Sequence, residues 1–91
     1  MYYVYVLCNP EGKLYVGYSG DLRQRTREHC AGGSRSTRGD KWSLVYYEAY
    51  ASRDDTLRRE RMLKQRGQAK RFLRERISDS ITSACIELSA R

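Results

Sequence analysis

The 91-residue chain has little of what marks secreted, zinc-binding or membrane-spanning proteins. Its three cysteines are odd in number, widely spaced and without a CxxC pair, so the sequence predicts free thiols and neither disulfides nor a zinc site. No apolar run approaches the roughly 18–20 residues that span a bilayer. The N-terminal residues also lack the basic region and cleavage site of a signal peptide. These absences predict a cytoplasmic protein that does not associate with membranes.

Acidic residues are scarce relative to basic ones. The chain has 11 Asp and Glu against 18 Lys and Arg, which gives a net charge of +7. The excess is local, because residues 51–76 contain ten basic and four acidic residues whereas residues 1–20 are neutral. Such a basic segment attracts polyanions, and nucleic acid is the commonest of these. The alternative is a solvated helical face that binds nothing.

Three short runs of aromatic and β-branched residues predict strands. Residues 2–8 and 14–18 are separated by a turn at 9–13 that contains proline and glycine, which predicts an antiparallel hairpin. Residues 42–50 have the same composition and predict a third strand.

Capping residues and apolar spacing predict helices after the hairpin and after the third strand. Asp21 can cap a helix that ends before Gly32, and Ser52 can cap a second helix over about 53–66. Gly67 ends the second helix and precedes a third. The third helix has Phe72, Leu73 and Ile77 as its apolar stripe.

The resulting order, ββαβαα, predicts an α+β fold in which a three-stranded antiparallel sheet is flanked by helices. We expect one domain over residues 1–78. Residues 79–91 form a C-terminal tail whose weak apolar pattern allows it either to fray or to dock.

Helical periodicity directs several polar side chains toward the apolar side of their helices. Arg25 and His29 share the face of Leu22, and Glu60 divides the apolar arc of the second helix. An inward carboxylate is costly unless a cation holds it. An ion pair of Glu60 with Arg25, or with Lys64 four residues later, is the structural interpretation.

Tyr5 and Tyr15 hold odd positions in the first two strands and can share one sheet face with Tyr3. Stabilisation of the hairpin by paired aromatic rings is one interpretation. A functional interpretation adds the guanidinium, imidazole and carboxylate of the two helices. Such a set can hydrolyse a phosphodiester, with a carboxylate for a divalent metal, an arginine for the phosphate and a proton acceptor for water.

The pattern resembles the GIY-YIG nuclease domain over residues 3 to about 75. Tyr3-Val4-Tyr5 stands where the family has Gly-Ile-Tyr, and Tyr15-Val16-Gly17 stands for Tyr-Ile-Gly. Arg25 follows ten residues after Tyr15, His29 lies one turn later, and Glu60 lies on the later helix. The small stand-alone bacterial members, the YhbQ-like group, are similar through KLYVGYSGDLRQR, the glycine, serine and arginine loop at residues 31–41, WSLVYYEAY and LRRERMLKQ. Tyr3 in place of glycine, and Tyr18 where some relatives have lysine, depart from the family pattern.

The resemblance implies a metal-dependent endonuclease, a phosphodiester hydrolase. It implies that Glu60 holds a single Mg²⁺ or Mn²⁺ and that Tyr15 receives the proton of the attacking water. Arg25 neutralises charge on the phosphate, and Tyr5 hydrogen-bonds the nucleophile or the phosphate. His29 protonates the departing oxygen or braces the phosphate.

The expected partner is DNA, with RNA left open. Arg35, Arg38 and Lys41 of the loop, together with Lys64, are candidate phosphate contacts, and Trp42 is expected to pack in the core rather than stack on a base. No recognition module is visible, so we expect low sequence specificity and a setting in DNA repair or recombination. The alternatives are a catalytically inactive nucleic-acid-binding module, or a subunit that depends on a protein partner. The sequence leaves the oligomeric state open.

Overall fold

The computed structural model describes residues 1–30 and 41–90. Within them the three strands form one antiparallel sheet in the order β2-β1-β3, with helices on both faces. The predicted α+β fold with a three-stranded antiparallel sheet is therefore confirmed. The elements are β1 (Tyr2–Cys8), β2 (Leu14–Ser19), α1 (Leu22–Cys30), β3 (Ser43–Tyr50), α2 (Arg53–Gln65), α3 (Gly67–Arg76) and α4 (Ser78–Ser89).

The β1–β2 turn is held by the buried side chain of Asn9. Its Oδ1 accepts hydrogen bonds from the amides of Glu11 at 3.0 Å and Lys13 at 2.8 Å. Gly12 has a φ of 83°, in the left-handed region that favours glycine. The turn fixes the hairpin register, which sets the faces on which the strand side chains lie.

The register places Tyr5 opposite Gly17 and Leu7 opposite Tyr15. Because partners directly across a strand pair lie on the same sheet face, the rings of Tyr5 and Tyr15 share a face, as predicted. This face also contacts Trp42, which is buried as expected.

The opposite face of the sheet builds the larger core. Val4, Val6 and Val16 project from it and pack against apolar residues of the last three helices. The buried residues of this cluster outside the sheet are Leu63, Leu73 and Ala84 of the helices and Ile77 between α3 and α4. The sheet thus separates this apolar core from the face that carries Tyr5 and Tyr15.

The helix caps follow the sequence signals. Asp21 Oδ1 accepts from the Gln24 amide at 3.1 Å, and Ser52 Oγ accepts from the Asp55 amide at 3.3 Å. The prediction for the stripe of α3 is wrong at Phe72, which is 53% exposed. Adjacent helical residues point about 100° apart, and Leu73 occupies the core position.

The C-terminal segment forms a helix, α4, which the predicted order ββαβαα does not include. This helix packs against the rest of the fold. Its Ala84 and Leu88 are buried, and the helix contacts β1, β3 and α3. Cys8 and Cys85 are free thiols. Across the described ranges, no helix combines the length and apolarity needed to cross a bilayer.

Candidate active site

Tyr5 lies at the centre of the candidate site. The side chain projects from the middle strand toward α1 and is only 1% exposed. Its Oη lies 2.9 Å from Nε2 of His29, which is fully buried on α1. Gly17, the residue opposite in β2, leaves the space that the phenol ring occupies. The two motif strands and α1 therefore meet at one hydroxyl group.

Arg25 determines how the Tyr5 hydroxyl is shared. The pKa shifts of the two groups put its guanidinium beside the Tyr5 hydroxyl, toward which a guanidinium can only donate. The Tyr5 oxygen is therefore an acceptor toward Arg25, whereas the direction of its hydrogen bond with Nε2 of His29 depends on the imidazole tautomer.

The surroundings keep both partners uncharged. Burial raises the pKa of Tyr5, although the hydrogen bond from Arg25 opposes this shift. Burial lowers the pKa of His29, and the positive charge of Arg25 lowers it further. At neutral pH the pair is therefore a neutral phenol hydrogen-bonded to a neutral imidazole.

Tyr15 lies at the edge of this group and is half-buried. Its ring centroid is 4.9 Å from that of His29 and 6.4 Å from that of Tyr5. The buried ring of Trp42 contacts Tyr15 edge-on at 6.2 Å. Tyr15 is thus supported on one side by core rings and is more accessible than Tyr5 or His29.

Arg25 also pairs along its own helix. Its Nη1 donates to Glu28 Oε2 at 2.9 Å, and the two side chains are 40% and 41% exposed. Hydrogen bonds to Tyr5 and then to Glu28 raise the pKa of Arg25, so the cation is permanent. The guanidinium therefore links the buried phenol to solvent.

Glu60 approaches the phenol from α2. Its negative charge contributes to the raised pKa of Tyr5, after burial and the nearby Tyr15, which puts the carboxylate within electrostatic range. The side chain is 20% exposed, and Oε2 lies 3.5 Å from Nζ of Lys64. Of the two cations considered as partners for Glu60, Lys64 forms an ion pair with it, whereas Arg25 pairs with Glu28.

The donor chemistry near Glu60 fits a largely hydrated hard cation. In residues 1–30 and 41–90, no three His, Cys, Asp or Glu side chains converge as a metal cluster. A single carboxylate suits Mg²⁺ or Mn²⁺, which keep several waters, and does not suit tetrahedral zinc. Glu60 would be the protein ligand of such an ion.

The remaining predicted contacts are only partly described. Arg35 and Arg38 lie outside the described residues. Lys41 is exposed beside Trp42, and Lys64 is 48% exposed in its pair with Glu60. Tyr18 has a neighbouring cation, because Arg53 Nε donates to Tyr18 Oη at 3.1 Å.

Sequence reasoning missed a partly buried network that joins β3 to α2. The carboxylate of Glu48 accepts from Arg59 Nε at 3.0 Å and Nη2 at 3.0 Å. It also accepts from Tyr46 Oη at 2.6 Å and from Tyr50 Oη. The pattern Tyr46-x-Glu48-x-Tyr50, which puts three polar groups on one strand face, was the available signal.

The network keeps the Glu48 carboxylate ionised. Burial alone would raise the pKa of Glu48, but hydrogen bonds from Arg59 and the two tyrosines lower it overall. Burial and the hydrogen bond to Glu48 raise the pKa of Tyr50 to about 12. Since Arg59 precedes Glu60 in α2, this network anchors the helix that carries the candidate metal ligand.

Comparisons with known proteins find a matching family model, relatives and a solved structure. The family model of the GIY-YIG catalytic domain matches residues 1–73. The UPF0213 protein of Halobacterium salinarum is 37% identical over 73 residues, covering 78% of this chain and 95% of the relative. A Streptococcus pneumoniae UPF0213 protein is 36% identical over 77 residues, covering 80% and 78%. The solution NMR structure of the Bacillus halodurans UPF0213 protein has a TM-score of 0.55 and 30% identity, covering 90% of this chain and 94% of that one.

Proposed function

Since the chain belongs to the GIY-YIG nuclease family, we propose that it hydrolyses DNA phosphodiester bonds in a metal-dependent reaction with low sequence specificity. The observation that carries the proposal is the convergence of groups on the Tyr5 hydroxyl. His29 hydrogen-bonds it, Tyr15 contacts the same imidazole, and Arg25 and Glu60 lie close enough to shift the pKa of Tyr5. The proposed centre contains a phosphate-binding cation, a proton acceptor and a carboxylate ligand.

Arg25 is proposed to bind the scissile phosphate. It is partly exposed, permanently charged and held by Tyr5 on its buried side. The planar guanidinium can donate two parallel hydrogen bonds to phosphate oxygens, which a lysine cannot do. Contact with the phosphate would require Arg25 to exchange its exposed pair with Glu28, which is a low-cost change at this degree of exposure.

Tyr15 is proposed to receive the proton of the attacking water, because it is the more accessible of the two motif tyrosines. His29 has no exposed surface, so it acts through Tyr5 and holds that hydroxyl toward Arg25. Tyr5 in turn holds the Arg25 guanidinium in place from its buried side. A divalent ion on Glu60 would supply a Lewis acid for the developing phosphate charge.

The basic helices support a nucleic-acid substrate. Ten Lys and Arg side chains lie between residues 51 and 76, and most of them are exposed on α2 and α3. The described elements include no helix-turn-helix or added recognition module, which favours contacts to phosphates over readout of bases. These features support DNA repair or recombination as the setting.

One experiment separates a nuclease from a binding module. Wild-type protein is incubated with labelled single-stranded, duplex and branched DNA, and with RNA, in Mg²⁺, Mn²⁺ or EDTA. We expect cleavage of DNA that requires metal and stops in EDTA. Binding without cleavage of any substrate would support the inactive module, and preferential cleavage of RNA would overturn the choice of DNA.

Tyr15→Phe tests the proton acceptor in the same assay. The variant should fold and bind DNA normally but lose turnover, because it lacks the phenolic oxygen. Tyr47→Phe is the matched control, since Tyr47 is 53% exposed on β3 and takes no part in the hydrogen bonds of Tyr5. Wild-type cleavage by Tyr15→Phe would remove Tyr15 from the proposed reaction.

A further inference from the structure

A cavity of about 800 Å³ lies on the sheet face opposite Tyr5. It is bounded by β3, α2 and α3, which makes it separate from the candidate active site. Arg59 and Met62 line it from one face of α2, Arg66 lines it from the junction between α2 and α3, and Ala69, Phe72 and Arg76 line it from one face of α3. The helical residues follow the spacings i, i+3 in α2 and i, i+3, i+7 in α3, which place residues on one side of a helix.

The charge of this cavity is positive. Its lining contains three arginines and the carboxylate of Glu48, and that carboxylate is fully used by Arg59 and two tyrosines. Arg76 lies close enough to Tyr46 at the cavity floor to lower the pKa of that hydroxyl, against the larger effect of burial. Arg66 and Arg76 therefore provide two positive charges that Glu48 does not neutralise.

Phe72 gives the cavity an aromatic wall. The ring is 53% exposed, although the neighbouring Leu73 is buried in the core. The guanidinium carbon of Arg71 lies 5.4 Å from the ring centroid, as in a cation–π contact. Arg71 does not line the cavity, so Phe72 contacts both this guanidinium and the cavity.

The first turn of α3 completes the lining. Gly67 and Gln68 lie at the cavity edge, and no side chain caps this helix end. Its amide groups add partial positive charge to that of the arginines. An anionic ligand with a flat aromatic part matches these features, whereas a purely apolar or cationic ligand does not.

We propose that this cavity binds a nucleoside phosphate, with the base against Phe72 and the phosphate beside Arg66 and Arg76. The same chemistry is present in a free nucleotide and in one nucleotide of a strand. The proposal does not depend on cleavage, because no residue of the Tyr5 group lines the cavity.

The test uses the full chain and three probes: AMP, ribose 5-phosphate and a short 5′-phosphorylated oligonucleotide. Calorimetry gives the affinities, and amide chemical shifts of Gly67, Gln68 and Ala69 give the location. AMP should shift these amides and bind more tightly than ribose 5-phosphate. Tighter binding of the oligonucleotide than of AMP would identify a strand as the ligand, and equal binding would identify a free nucleotide.

Three variants test the named contacts. Phe72→Ala should lower the affinity for AMP by roughly fivefold or more, which corresponds to the lower range of base–aromatic stacking energies. The affinity for ribose 5-phosphate, which has no base, should not change. Arg66→Gln and Arg76→Gln should lower the affinity for both AMP and ribose 5-phosphate, because each removes a positive charge beside the phosphate. Arg61→Gln is the matched control, because Arg61 is exposed on α2 outside the cavity.

If Arg61→Gln and Arg66→Gln lost equal amounts of affinity for AMP, the binding would reflect nonspecific charge attraction and the proposal would be overturned. The absence of AMP-dependent shifts at the three cavity amides would also overturn it. Glu60→Gln should leave AMP binding unchanged. Failure of this proposal is therefore distinguishable from failure of the proposed nuclease function.

Discussion

Gly17 lies directly opposite Tyr5 in the β1–β2 pair, and because it has no side chain it leaves the space that the phenol ring of Tyr5 occupies. A methyl group at Gly17 would lie 2.4 Å from both Cζ and Oη of Tyr5. Real Cβ atoms essentially never come this close to another heavy atom. The glycine of the second motif thus determines where the tyrosine of the first motif can lie.

Gly17→Ala should destabilise the fold by roughly 1–3 kcal/mol through overpacking and displace the Tyr5 ring. Tyr5→Leu removes the distal ring atoms that would clash. In the Tyr5→Leu background the added methyl group should therefore cost much less than in the wild type. Chemical denaturation of the two single variants and the double variant gives this coupling.

Gly20→Ala is the control for Gly17→Ala, because a methyl group at Gly20 would meet no atom within 4 Å. It should change stability by less than about 0.5 kcal/mol. Additive effects of Gly17→Ala and Tyr5→Leu would show that the close approach does not position the phenol.

His29 should make stability depend on pH. Burial and Arg25 lower its pKa in the folded state, so the unfolded chain binds a proton that the folded chain resists. The stability that His29 provides as a neutral group is complete above the unfolded pKa of about 6.5. It should decrease as pH falls below that value toward the lowered folded pKa.

Denaturation of wild type and His29→Gln between about pH 8 and about pH 5 measures this dependence. Since the chain has one histidine, the difference between the two slopes isolates its contribution. The wild type should lose more stability on acidification than the variant. Parallel curves would contradict a buried His29 that is neutral in the folded protein.

Glu48→Gln should lower stability by roughly 2–3 kcal/mol, because Arg59 would keep a partly buried charge without its carboxylate. The wild-type pair has side chains that are 17% and 29% exposed, so solvent weakens it less than a surface pair. Thermal or chemical unfolding measures the loss. Glu75→Gln, on the exposed surface of α3, should have little effect, and a similar change in both variants would argue against the network.

The predictable part of the molecule is local. The turn at Asn9 and Gly12, the cap at Ser52 and the shared face of Tyr5 and Tyr15 follow from turn chemistry, capping and strand alternation. These features depend on neighbours in the chain, or on a hairpin register that a short turn fixes. The sheet and most helices could therefore be inferred from the pattern.

Features that depend on tertiary packing were not predictable in the same way. Phe72 is exposed because Leu73 takes the core position, and α4 docks through only two buried residues with a weak pattern. The Glu48–Arg59 pair joins residues 11 positions apart on different elements. Periodicity indicated that Glu60 faces inward, but it could not choose between Arg25 and Lys64 as the partner.

Glu60→Gln tests the central claim most directly. Binding and single-turnover cleavage of labelled DNA are measured for this variant, wild type and the Glu75→Gln control, with Mg²⁺ and with EDTA. The variant should bind DNA within about twofold of wild type but cleave it at least about 100-fold more slowly, since it lacks the carboxylate for the metal. Metal-dependent cleavage by Glu60→Gln at the wild-type rate would contradict the assignment of Glu60 and the active site built around Tyr5.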